Sequence, residues 1–124
     1  MTSLAPAREQ VMEMQVEELE GGVTNVVLRG RLDSAGVEAI EPRFKEVIGS
    51  KKAIVVDLSQ VNFLTSLAVR MLVFGARAVT NNGGKLVLSS PNEWVSFVLK
   101  AMEIEQFVPV AFDHSAAIAT VRPV

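Results

Sequence analysis

Apolar and polar residues alternate along the first part of the chain. From residue 12 to residue 17, methionine or valine alternates with glutamate or glutamine. This period of two predicts a half-buried β-strand at or near the edge of a sheet. Gly21-Gly22 then supplies a turn, and the β-branched run from Val23 to Leu28 predicts a second strand. Because the connection is short, we expect the two strands to form a hairpin.

Helical spacing of apolar residues begins after residue 33. Asp33 or Ser34 is the predicted N-cap of a helix that runs to about Ile48, before Gly49-Ser50. Pro42 lies within it and is expected to disturb its regularity. The side chains of one apolar stripe are Val37, Ile40, Phe44, Val47 and Ile48.

Two short apolar runs, at 53–58 and 85–88, have the composition of strands buried on both faces, which is typical of a parallel sheet. Between them, a helix is predicted from about Ser66 to Thr80. It is apolar on almost every face, and its only charges, Arg70 and Arg77, share one side. Such a helix needs cover from its own sheet or from a partner. The polar, glycine-containing segment 81–84 ends it.

The last third of the chain is also predicted to alternate helix and strand. Ser90 to Glu93 has the pattern of a capping box with proline at the first helical position, so Ser90 is the predicted N-cap. The helix that follows carries Val95, Val98, Leu99 and Met102 on one face. Phe107 to Phe112 is predicted to be a short strand, and Asp113 is predicted to cap a final helix through Val121.

The resulting order of elements is β-β-α-β-α-β-α-β-α. It predicts a single α/β domain with a mixed, mostly parallel sheet of about five strands, an N-terminal hairpin and about four helices. A length of 124 residues suits one domain. We assign residues 11–124 to this domain and expect residues 1–10 to be a disordered lead-in.

Composition excludes several classes of function. The 12 Lys and Arg residues are balanced by 14 Asp and Glu residues, so no basic surplus favours nucleic acid. The chain has no cysteine, which excludes disulfides and thiolate chemistry. The first residues lack the apolar core of a signal peptide, and no apolar run approaches the roughly 20 residues of a membrane span. We therefore expect a cytoplasmic protein without direct membrane insertion.

The patterns that normally indicate catalysis are missing from the sequence. His114 is the one histidine, beside a predicted helix cap, and cannot form a two-histidine metal site. Glycine-rich phosphate loops and the Gly-x-Ser-x-Gly elbow do not occur. Asp57 lies near the end of a buried strand, where α/β folds bind ligands, but one carboxylate is more simply a structural acceptor. We therefore expect that the protein is not an enzyme and that it has no cofactor, metal site or catalytic residue.

The start of the apolar helix, at Thr65-Ser66, is the strongest candidate for function. The chain leaves a buried strand, passes through a short loop and enters the helix there. A helix N-terminus has free backbone N–H groups and a positive dipole end, which favour a phosphate. A phosphate would add about −1.5 to −2 charge to an apolar patch and repel a docked partner. The simpler interpretation is that Thr65 or Ser66 only caps the helix.

The chain resembles the STAS family, the domain of sulphate transporters and anti-sigma factor antagonists, from about Met12 to Val121. The likeness lies mainly in Val-Val-Asp-Leu-Ser-Gln-Val-Asn-Phe-Leu-Thr-Ser at 55–66. It continues through the apolar helix, the Asn-Gly-Gly stop at 82–84 and the strand Lys-Leu-Val-Leu. The family typically has Asp-Ser-Ser-Gly at the start of this helix.

The resemblance implies a partner-switching function. In stand-alone bacterial members, an anti-sigma factor that is also a serine kinase phosphorylates the first serine of that motif. The unphosphorylated form binds the kinase, and a serine phosphatase resets the system. The corresponding residue here is Ser66. The implied partner-binding residues are Asp33, Ser34, Thr65, Ser66, Leu67 and Arg70.

Three positions depart from the family motif: Thr65 replaces aspartate, and Leu67 and Ala68 replace Ser-Gly. These departures motivate an alternative, a non-switching STAS subunit of a transport complex or signalling scaffold. A third hypothesis, a small enzyme or ligand-binding domain that uses Asp57, has too few converging polar groups to favour it. The apolar helix would serve a homodimer as readily as a kinase.

Overall fold

The computed structural model describes residues 12–123, so the predicted lead-in, residues 1–10, lies outside the described residues. Strands and helices alternate after an initial hairpin, as predicted. In chain order the elements are β1 (Glu13–Leu19), β2 (Val23–Leu32), α1 (Ser34–Ser50), β3 (Ala53–Leu64), α2 (Ser66–Asn81), β4 (Lys85–Ser89), α3 (Glu93–Ala101), a 3₁₀ turn (Ile104–Gln106), β5 (Val110–Ala111) and α4 (His114–Val121).

One sheet contains the five strands in the order β1-β2-β3-β4-β5. β1 and β2 are antiparallel, and the other neighbouring pairs are parallel. The hairpin turn uses Gly21 and Gly22, whose φ angles of 82° and 80° are in the region that favours glycine. The predicted single α/β domain with a mixed, mostly parallel sheet is confirmed.

The two faces of the sheet are covered unequally. Along β3, Ile54, Val56 and Leu58 point into a large core shared with α1, α2 and α3, while Ala53 and Val55 point to the other side. On that side, α4 is the one helix of the described part of the chain that contributes to a smaller cluster. Its members are Val23, Ala53, Val55, Val87, Ala117 and Val121. Burial on both faces explains why β3 and β4 have continuous apolar runs.

Side-chain caps start the four helices. Asp33, Thr65, Asn92 and Asp113 each accept a hydrogen bond from a backbone N–H three residues on. The prediction that Ser90 caps α3 is wrong. Ser90 has a left-handed φ of 57°, and Asn92 caps the helix while its amide also donates to the Val61 carbonyl at 3.1 Å.

Three boundaries also differ from prediction. β3 continues past Leu58 to Leu64, because residues 60–64 pair with β2 after register shifts. The predicted strand from Phe107 to Phe112 is only Val110–Ala111, and it follows a 3₁₀ turn. α1 runs to Ser50 and remains one helix through Pro42, whose ring is exposed.

Candidate functional site

The register between β2 and β3 places the starts of two helices side by side. Leu32 pairs with Leu64, and each is the last residue of its strand. The next residue in each chain segment is a cap, Asp33 for α1 and Thr65 for α2. The backbone N–H and the hydroxyl of Thr65 both donate to the Leu32 carbonyl, at 3.1 and 3.2 Å. The two helix starts are therefore held together by hydrogen bonds.

Thr65 and Ser66 have different roles at the start of α2. The Thr65 Oγ1 accepts a hydrogen bond from the Ala68 N–H at 3.4 Å, so Thr65 is the cap. Ser66 is the first residue of the helix, and its side chain is exposed. The simple capping interpretation therefore holds for Thr65, while Ser66 is an exposed residue that is not the cap.

Asp33 is the charged group at the start of α1. Its Oδ1 accepts the Gly36 N–H at 2.9 Å, and its Oδ2 lies 3.4 Å from Nε of Arg31. The hydrogen bond from Gly36, with a further contribution from Arg31, holds the pKa of the Asp33 carboxyl below its ordinary value. Asp33 is therefore ionised at neutral pH and forms an ion pair with the Arg31 side chain.

An aromatic stack extends from this point to α3. The Arg31 guanidinium lies over the Phe63 ring, 4.1 Å from its centre. Phe63 in turn stacks on Trp94, with ring centres 5.7 Å apart and an angle of 21° between the planes. Trp94 is 49% exposed, so the stack forms part of the surface. Sequence reasoning missed this stack, because its three side chains are at least 31 residues apart in the chain. Arg31 and Phe63 become neighbours only through the pairing of β2 with β3.

A groove of about 410 Å³ runs between α1 and α2 from the two helix starts. Leu67 and Phe74 are 43% and 60% exposed along it, so the groove presents apolar surface to the outside. The groove is lined by Ser34, Val37, Glu38, Glu41, Lys45, Leu67, Arg70, Met71 and Phe74. Sequence reasoning missed Phe74, although it lies seven residues after Leu67 and therefore on the same helix face.

The structure brings the six predicted partner-binding residues to one end of the molecule. Asp33 and Thr65 cap the two helices, and Ser34 and Ser66 are their first residues. Leu67 and Arg70 continue from Ser66 into the groove. Their position is consistent with one continuous docking face, and their role in binding remains a prediction.

Other candidate groups have local structural roles. The Asp57 carboxylate accepts the Ser59 N–H at 2.9 Å, which is a structural hydrogen bond within the strand. His114 is the first residue of α4, on the opposite face of the sheet from α1 to α3. No group of three or more metal-ligating side chains occurs within residues 12–123. Over the same residues, every helix falls short of the length and apolar character that a bilayer crossing requires.

The observed fold is that of a small α/β domain with a mixed sheet and two adjacent helix starts. Comparison with known proteins assigns this domain to a family. The family model described as "Mlab, STAS domain" matches residues 16–109, which is most of the chain. The protein belongs to the STAS family, as the sequence resemblance indicated.

Solved structures share the fold at low sequence identity. An anti-sigma factor antagonist from Mycobacterium paratuberculosis is 23% identical, with a TM-score of 0.83 over 92% of this chain and 97% of the other. The antagonist SpoIIAA in its unphosphorylated form is 22% identical, with a TM-score of 0.73 over 90% and 98%. The phosphorylated form of the Bacillus cell fate determinant SpoIIAA is 21% identical, with a TM-score of 0.65 over 87% and 98%.

Proposed function

We propose that this protein is an anti-sigma factor antagonist that binds its partner on the starts of α1 and α2 and is controlled by phosphate on Ser66. The observation that carries the proposal is the exposed position of Ser66 as the first residue of α2, with the capping role taken by Thr65. The partner is an anti-sigma factor with serine kinase activity, and a serine phosphatase restores the binding form. The protein itself is not an enzyme in this scheme and acts in the cytoplasm.

Electrostatics at the start of α2 explain why phosphate is suited to this position. The first turn of α2 has no acidic residue to compete for its backbone N–H groups. A phosphate there is stabilised by these donors and by the helix dipole. The same group places about two negative charges beside Leu67, which is 43% exposed. A partner that covers Leu67 would have to desolvate this charge, so phosphorylation weakens docking.

The similar structures support this scheme at the level of the family. Anti-sigma factor antagonists are among them, and SpoIIAA is represented in both an unphosphorylated and a phosphorylated form. A domain of this fold therefore accepts phosphate in at least that protein. The transfer of this property to Ser66 of the present chain is our proposal.

Direct phosphorylation tests the proposal. Incubation with the cognate kinase and ATP should add one phosphate to the wild-type protein, measured by intact mass, and none to Ser66→Ala. Ser115→Ala is the matched control, because Ser115 is an exposed serine in the first turn of α4, outside the proposed docking face, and should leave modification unchanged. Phosphate on another residue, or an unmodified wild-type protein, would contradict the proposal.

Binding to the kinase provides a second test. Ser66→Asp places a negative charge on the docking face and should weaken binding by about tenfold or more, which corresponds to about 1.4 kcal/mol. Ser115→Asp is the control, since Ser115 is exposed in the first turn of α4, on the other side of the sheet. Equal affinities for Ser66→Asp and wild type, measured by titration calorimetry, would count against a docking face at Ser66.

A second candidate function is a non-switching STAS subunit of a transport complex or signalling scaffold. The departures from the usual motif at Thr65, Leu67 and Ala68 favour it, and the matching family model is described as Mlab rather than as an antagonist. Co-purification with a membrane ATPase, in the absence of any kinase, would support this function. Co-purification with a serine kinase, and recovery of phosphate on Ser66, would support the first.

A further inference from the structure

Arg70 is placed to interact with a group attached to Ser66. It follows Ser66 by four residues on α2, so the two side chains are neighbours on one helix face. Arg70 is exposed and lines the groove between α1 and α2. Within residues 12–123, none of the ion pairs involves Arg70.

The other charged groups at this end of the groove belong to α1 and its cap. Glu41 pairs with Lys45 at 4.0 Å, and Asp33 pairs with Arg31. Glu38 also lines the groove from α1, and the ion pairs within residues 12–123 do not include one between Glu38 and Arg70. Arg70 is therefore the cation on the α2 wall of the groove, and it is not engaged by the acidic groups of the α1 wall.

We propose that Arg70 is the counter-charge of a phosphate on Ser66, and that this pairing withdraws its guanidinium from the α1–α2 groove. The inference rests on the proposed function, because it requires phosphate on Ser66. A phosphate offers three acceptor oxygens, and a guanidinium can bind two of them at once. The spacing of four residues on a helix is within reach of such a pair.

This pairing also specifies the chemistry of the partner. Leu67, Arg70 and Phe74 form an apolar, cationic, apolar series along the α2 wall of the groove. A complementary partner segment has an acidic side chain flanked by apolar ones. When phosphate engages Arg70, that acidic side chain loses its partner and faces Glu38 instead. Phosphorylation then acts twice, through repulsion at Ser66 and through the loss of the Arg70 contact.

A pH titration of the phosphate by ³¹P NMR tests the pair without any kinase. The samples carry phosphoserine at position 66, introduced during translation, in wild-type, Arg70→Gln and Arg77→Gln backgrounds. We expect Arg70→Gln to raise the second pKa of the phosphate, equivalent to about twofold tighter proton binding. Arg77 lies on the same helix face but about 16 Å along the helix axis from Ser66, so Arg77→Gln should match wild type. Arg70→Lys should recover part of the effect.

The titration has two outcomes that would overturn the pair: no difference between Arg70→Gln and wild type, or an equal rise in both glutamine variants. Kinase affinity then tests the withdrawal of Arg70 from the groove. Phosphate on Ser66 should weaken binding by a smaller factor in Arg70→Gln than in wild type, because one of its two effects is already lost. Equal factors would contradict the withdrawal. Failure of a kinase to modify Ser66 would contradict the proposed function. It would not contradict the pairing of Arg70 with phosphate, because the titration uses no kinase.

Discussion

At the scale of single residues, the Thr65 hydroxyl connects two helices. It caps α2 and also donates to the last carbonyl of β2, directly before α1. Thr65→Ala removes both hydrogen bonds, and we expect it to lower the free energy of unfolding by about 1 kcal/mol. Thr65→Ser is the control, since it keeps the hydroxyl and should stay close to wild type. Urea denaturation measures both, and an unchanged Thr65→Ala variant would show that this hydroxyl does not stabilise the helix start.

Asp33 makes a pH-dependent contribution at the neighbouring helix start. Its folded-state pKa lies below the ordinary value of 3.8, chiefly because of the Gly36 N–H. The stabilisation is therefore complete above that ordinary value and is lost as the pH falls through the lower, folded-state pKa. Asn caps helices as well as Asp but does not ionise.

We expect the stability advantage of wild type over Asp33→Asn to be largest near neutral pH and to shrink as the pH falls below 3.8. Denaturant titrations of both proteins across this range measure it. A difference that stays constant with pH would show that the carboxylate charge contributes nothing at this helix start.

Residue-level prediction from the sequence succeeded where the signal was local. Asp33 was predicted as a possible cap and Ser66 as the start of α2, because cap chemistry and the beginning of an apolar helix are readable within a few residues. The stack of Arg31, Phe63 and Trp94 could not be identified in this way. It depends on the pairing of Arg31 with Phe63 across two strands and on the anchoring of the α3 cap to β3.

At the scale of elements, the packing of α1 on α2 depends on Gly75. A Cβ atom at this position would lie 2.7 Å from Cε2 of Phe44, which is fully buried in the core. Gly75→Ala should therefore destabilise the protein by about 1 kcal/mol, as the cost of overpacking exceeds the gain in helix propensity. A gain in stability on thermal denaturation would show that Phe44 can move aside without cost.

Gly49 provides the matched control for that substitution. It lies near the end of α1, and beyond its chain neighbours and the adjacent helix backbone no heavy atom lies within 4 Å of an added Cβ. Gly49→Ala should raise stability by up to about 1 kcal/mol, since only helix propensity changes. The two glycine variants are thus expected to shift the melting temperature in opposite directions.

Boundaries of elements were predicted less well than their existence, and each error has a tertiary cause. β3 was expected to end near Leu58, where the apolar run stops, but pairing with β2 extends it through polar residues to Leu64. The Ser90 cap failed because the left-handed backbone of Ser90 turns the chain so that Asn92 can reach both α3 and β3. Neither contact has a signature in the local sequence.

At the scale of the whole molecule, α4 is the one helix within residues 12–123 that covers its face of the sheet. Ala117 is fully buried against this face, whereas Ala119 on the same helix is exposed. Ala117→Asp would bury a charge without a partner and should cost more than about 3 kcal/mol or prevent folding. Ala119→Asp should change the free energy of unfolding by less than about 0.5 kcal/mol. Far-UV circular dichroism during urea denaturation compares the two, and similar stabilities would mean that α4 is not part of the cooperative core.

The topology was largely readable from the order of elements, because alternating strands and helices permit few arrangements. The sequence did not predict that α1, α2 and α3 would pack on one face of the sheet and α4 on the other. α4 is short, and its two buried residues, Ala117 and Val121, give only a weak apolar stripe. Which helices share a face follows from the crossovers between strands and is settled only by the assembled sheet.

The aromatic stack gives the molecule its own optical probe. The chain contains one tryptophan and no tyrosine, so its intrinsic emission under selective excitation originates from Trp94. This indole rests on Phe63, which lies beneath the guanidinium that Asp33 holds. A partner that binds over the helix starts would exclude water from the Trp94 indole or displace the side chains around it. Either change would shift the wavelength and the intensity of the tryptophan fluorescence. Complex formation at this end can therefore be followed in real time without attaching a dye.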